Sequence, residues 1–63
     1  MNIETTNGNV EIDVWGRFAN FFLDEATYDL TAFRATIAAA LEAGNSEGSV
    51  EFRGNNYVWE ISY

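Results

Sequence analysis

The chain has 63 residues, ten of them acidic and three of them arginine, for a formal net charge of −7, and it contains no cysteine, histidine or lysine. Those absences exclude a disulfide framework, a thiolate or histidine metal site, a Ser-His dyad and a Schiff-base lysine. The negative balance argues against direct binding of nucleic acid or an anionic membrane, since both require a positive footprint.

With 48% hydrophobic and 16% aromatic residues, the composition predicts one folded domain over residues 1–63. A chain this short gains buried area by dimerising, so monomer and homodimer both stay open. No basic region leads into an apolar run, and no apolar run is long enough to span a bilayer. The expected location is therefore cytoplasmic.

Asn7-Gly8 predicts a type I′ hairpin turn. That register pairs Glu4 with Glu11 and Ile3 with Ile12. Ile3, Val10, Ile12 and Val14 then share the core face, and Glu4, Glu11, Asp13 and Trp15 share the outer one. Val10 to Leu23 is too long for one strand. Gly16-Arg17 is read as a second hairpin turn, pairing Val14 with Ala19 and placing Phe18 and Phe22 beside Trp15. The alternative is a bulge at Gly16 in one bent strand. Asp24 and Glu25 open an acidic loop into the next element.

Tyr28–Gly44 is the helix. Leu30, Phe33, Ile37 and Leu41 fall in one stripe at spacings of three and four. Asp29 suits the N-cap, Tyr28 and Phe33 fit a hydrophobic staple, and Gly44 supplies the left-handed ending. The alanines among residues 35–43 predict close packing on a sheet. Residues 45–48 read as a flexible connection. A second hairpin follows, with the turn at Gly54-Asn55-Asn56. Phe52 pairs with either Trp59 or Tyr57, and the first choice sets Glu51 against Glu60. Val50, Phe52, Tyr57, Trp59, Ile61 and Tyr63 share its core face. The fold class is α+β: an antiparallel or mixed sheet in the order β-β-β-α-β-β, with one helix packed across one face.

No motif carries catalysis or a cofactor. The carboxylate pairs, Asp24 with Glu25 or Asp29 and Glu11 with Asp13, are the remaining candidates for acid–base work or Mg²⁺, and solvation is the simpler account of them. The chain is read as a non-enzyme without metal or cofactor. Glu4, Glu11 and Asp13 make a negative row, extended by Asp24, Glu25, Glu51 and Glu60. Trp15, Phe18 and Phe22 add aromatic anchors, the composition of a protein-binding surface.

In size, charge and element order the chain resembles the small inhibitors encoded by phages and mobile elements, anti-CRISPR proteins among them, several of which are DNA mimics. The resemblance implies a partner with a basic surface, such as a nucleic-acid-binding protein or the DNA-entry or PAM-reading surface of a CRISPR effector subunit. It also implies action in the host cytoplasm. The rival expectations are an antitoxin-like or regulatory module that neutralises a basic partner, and a structural homodimer.

Overall fold

A computed structural model describes residues 1–17, 19 and 27–63. Its elements are β1 (Asn2–Thr5), β2 (Gly8–Trp15), the helix α1 (Thr31–Glu42), β3 (Glu47–Phe52) and β4 (Asn55–Ile61). The four strands form one antiparallel sheet in the order β1-β2-β4-β3. The helix crosses one face and packs on both edge strands, β1 and β3. The fold is therefore α+β, with the described elements in the sequence order β-β-α-β-β.

The alternation of apolar residues fixes which face each strand buries. Ile3, Ile12, Val50, Tyr57 and Trp59 close on Leu30, Phe33 and Ile37 of the helical stripe, all of them buried. Phe33 sits at the centre, its ring edge-on to Phe52 and to Tyr57 at 6.1 Å each. Two glycines let the sheet's aromatics approach the backbone closely. A methyl on Gly48 would meet the Trp59 indole at 2.9 Å, and one on Gly16 would stand 2.2 Å from Cδ1 of Tyr57. Tyr63, expected on the core face, is fully exposed.

Both hairpins have a different register from the one expected. Thr5 lies opposite Gly8, so Glu4 faces Asn9, and Ile3 faces Val10. Thr5 Oγ1 accepts from the Asn7 N–H at 3.2 Å and donates to the Gly8 carbonyl at 2.7 Å. Gly8 carries a positive φ of 110°, and Asn7 does not share it, so the turn is not type I′. The pairing moves by two residues, which keeps every side chain on its expected face. At the second hairpin Arg53 and Gly54 both have positive φ, 52° and 80°, and form the primed turn. Asn55 and Asn56 belong to β4, so Phe52 faces Asn55, and Glu51 faces Asn56 rather than Glu60. The Arg53 guanidinium lies 5.2 Å from the centroid of the Tyr28 ring, which helps hold that turn against the rest of the fold.

The edge of β2 that the Gly16-Arg17 hairpin was expected to use is taken by β4. Residues 12–15 of β2 pair with β4, Val14 facing Trp59. By the alternation of ladder bonds, this is the edge a Gly16-Arg17 hairpin would have needed. Ala19 is helical, and its N–H reaches the Gly16 carbonyl at 3.3 Å, so neither the hairpin nor the bent strand holds there. Phe18 and residues 20–23 lie outside the described residues.

The helix ends largely as the sequence indicates. Asp29 accepts from the Thr31 N–H at 3.0 Å, although the helix starts one residue later than an Asp29 cap requires. At the other end the Gly44 N–H bonds Leu41 and the Asn45 N–H bonds Ala40, both at 3.0 Å. This is a Schellman ending with Gly44 at φ 93°. Ala38 and Ala40 pack on the core, whereas Ala35, Ala39 and Ala43 face outward.

Candidate functional site: the outer face of the sheet

The face of the sheet away from α1 carries six of the eight acidic residues described. Glu4 on β1, Glu11 and Asp13 on β2, Glu60 on β4 and Glu47 and Glu51 on β3 are all exposed. The remaining outward positions hold Asn2, Asn9, Trp15, Ser49, Asn56 and Val58, so no basic residue lies among them.

The registers place these acids in a diagonal stripe. Asp13, Glu60 and Glu47 form one row straight across three strands. Glu11 and Glu4 step away from that row toward the β1 edge, and Glu51 lies further along β3. With strands about 4.8 Å apart and about 6.8 Å between same-face neighbours on a strand, the stripe runs roughly 30 Å before twist is counted. That is comparable to the longest dimension of the molecule, 28 Å.

One cation meets this stripe among the described residues. The Met1 ammonium lies 3.1 Å from Glu11 Oε1, and that carboxylate is 60% exposed, so water screens most of the interaction. No basic group of the described residues pairs with Glu4, Asp13, Glu47, Glu51 or Glu60. Arg34 donates from Nη1 to the Asn2 carbonyl, and Arg53 covers Tyr28. Two acids off this face are tied to backbone. Thr31 hydrogen bonds hold the Asp29 carboxyl below its ordinary value, and hydrogen bonds from Thr6, its backbone N–H above all, do the same for Glu42.

Beside the stripe lies an apolar spot. Trp15 and Val58 are cross-strand partners on the outer face, 49% and 48% exposed. They adjoin Asp13 and Glu60, so an indole and a branched aliphatic flank the densest part of the negative row.

Of the residues singled out from the sequence, Glu4, Glu11, Asp13, Trp15, Glu51 and Glu60 share this face. Phe18, Phe22, Asp24 and Glu25 lie outside the described residues. Two expected like-charge pairs, Glu4–Glu11 and Glu51–Glu60, are not formed. Glu60 instead faces Glu47 and Asp13. Sequence reasoning missed Glu47 and Val58. Glu47 heads an alternating run, Glu47-Ser49-Glu51, whose inward partner Gly48 has no apolar side chain to announce the strand.

Among the described residues no group of three or more carboxylates is arranged to hold a metal ion, and no helix is long and apolar enough to cross a membrane. No protein-family model, curated protein or solved structure matches the chain.

Proposed function

We propose that this chain is a small binding protein that occupies the basic nucleic-acid-binding surface of a partner and acts by competition rather than catalysis. The observation that supports this reading is the stripe itself: six carboxylates on one face of a sheet, met by a single ammonium among the described residues. At 5 Å, two unit charges in bulk water repel by about 0.8 kcal/mol. The fold accepts that repulsion without needing it, since Gln or Thr would serve these exposed strand positions equally well. Facing Lys and Arg of a partner, the same repulsion becomes attraction that speeds encounter and weakens with salt. Trp15 and Val58 supply an apolar contact that charge alone does not.

Charge density narrows the mimicry. Duplex DNA carries one charge per roughly 1.7 Å of axis, and a single strand one per roughly 3.4 Å. The stripe offers one per roughly 5–6 Å on the strand spacings above. It therefore stands in for one row of phosphates, not for both strands of a duplex. A CRISPR effector complex holds a displaced single strand of DNA, and we take it as the specific candidate. A self-complementary dimer through this face is disfavoured, because a two-fold axis would bring the stripe against another copy of itself.

The test uses proteins of a host lysate retained on single-stranded DNA-cellulose at low salt. This chain is expected to release one or a few of them. Polyglutamate at equal charge, and a folded variant carrying Asp13→Lys, Glu47→Lys and Glu60→Lys, are expected not to. Equal release by polyglutamate or by the variant would remove the stripe from the account.

A further inference from the structure

We infer that the free edge of β1, walled by one face of α1, is a docking groove that takes an extended basic segment of a partner protein as an additional strand. The inference rests on backbone geometry and shares only Glu4 with the reading of the outer face.

Met1 and Ile12 exchange two bonds, the Met1 ammonium to the Ile12 carbonyl at 2.9 Å and the Ile12 N–H to the Met1 carbonyl at 2.8 Å. In an antiparallel ladder the residues that point at the partner strand alternate. Asn2 and Glu4 therefore aim their N–H and C=O groups away from β2, toward the open edge. The Asn2 carbonyl takes the Arg34 guanidinium. The Asn2 N–H and both backbone groups of Glu4 carry no bond to any residue. Such a row is a template for strand addition.

A cavity of about 440 Å³ lies along this edge. Its other wall is Thr31, Arg34, Ala35 and Ala38, one face of the helix at spacings of three, one and three. Three of those four side chains are small, and that leaves the room. An added strand hydrogen-bonded at Glu4 would set its own side chain beside Glu4 on the outer face, where a lysine or arginine is matched. Its next residue would face Ala35 and Ala38, where a small apolar side chain fits. Charge also selects against a second copy. Two β1 edges paired about a two-fold axis would place their Glu4 side chains on one face, on chains of charge −7.

The probe is a blocked heptapeptide of alternating lysine and alanine. Its control has the same sequence with the lysine amides N-methylated, so that charge is kept and the bonds to β1 are lost. The chain is short enough to be synthesised with N-methyl at Glu4. The expected result is saturable binding of the plain peptide with slowed hydrogen exchange at the Asn2 and Glu4 amides. Affinity should fall at least tenfold for the methylated peptide and for the N-methyl-Glu4 chain. Equal binding of both peptides would show that charge alone attracts them and would overturn the groove, as would the absence of binding at millimolar peptide. If N-methylation at Glu4 unfolds the chain, exchange at Glu4 in the unmodified protein decides, since unslowed exchange on saturation also overturns it. The triple lysine variant of the outer face keeps the β1 edge. Strand addition that persists there while release from DNA-cellulose fails separates the two readings.

Discussion

Glu47 and Glu60 occupy a non-hydrogen-bonded cross-strand pair, the arrangement in an antiparallel sheet that brings two side chains closest. The Ile61 N–H bonds the Ser46 carbonyl at 2.9 Å, which fixes the next pair along the ladder as the close one. Glu60 also faces Asp13 across β2. It is the middle charge of three in a row, and its removal relieves two repulsions at once.

Glu60→Gln is therefore expected to stabilise the fold by about 0.2–1 kcal/mol at low ionic strength. In 1 M salt, where the Debye length is about 3 Å, the gain should largely vanish. Urea denaturation at the two salt concentrations measures it, since urea adds no charge. A variant less stable than the parent at low salt would mean that Glu60 has a favourable role in the free protein.

Gly16→Ala is expected to destabilise by about 1–3 kcal/mol through overpacking. The added methyl would fall on the Tyr57 ring, which is buried and braced edge-on by Phe33. Pairing the substitution with Tyr57→Leu should recover part of the loss. Two additive losses would place the strain elsewhere.

The pH dependence of stability follows from Asp29 and Glu42, both held below their ordinary values of 3.8 and 4.5 by hydrogen bonds. For a depressed carboxyl the unfolded chain binds protons first. Stability is thus fully present above those ordinary values and is lost as pH falls through the lower folded ones. Asp29→Ala and Glu42→Ala should each lower stability at neutral pH and flatten its decline in acid. Thermal melts from pH 6 to pH 2 check this, and an unchanged slope in the Glu42 variant would show that its contact with the Thr6 N–H contributes nothing.

Trp15→Ala should cost stability only about 1 kcal/mol, since half of the side chain is already in water and its contact on this face is the cross-strand partner Val58. Partner affinity should drop tenfold or more if the indole is a central anchor. Isothermal titration with the released partner separates the two effects. A large stability loss without an affinity loss would return Trp15 to the fold.

Face assignment was readable from residues 3, 12, 50 and 59 because alternation survives any register shift of two. The helix was readable because Leu30, Phe33, Ile37 and Leu41 repeat on its period and Gly44 ends it. Register was not, because Thr5 drew the first turn back by hydrogen bonds to its own neighbours, and the second turn formed at Arg53-Gly54 rather than at the asparagines. The hairpin expected at Gly16-Arg17 had an apolar pattern good enough to pair with β2. What decided against it was β4, which begins 40 residues after β2 ends and whose Tyr57 and Trp59 bring the aromatic rings that lie on Gly16 and Gly48. Such a long-range competition leaves no local trace. The acidic stripe was half visible for the same reason: Glu4, Glu11, Asp13, Glu51 and Glu60 stand out in the sequence, but only the register adds Glu47 beside Glu60.

The most direct test of the central claim is mutual exclusion. The partner released from DNA-cellulose is saturated with this chain, and the binding of a fluorescent single-stranded oligonucleotide is followed by anisotropy at low salt. The account predicts that the oligonucleotide cannot bind until the chain is removed, and that raising the salt weakens both complexes together. A stable ternary complex of partner, oligonucleotide and this chain would contradict it.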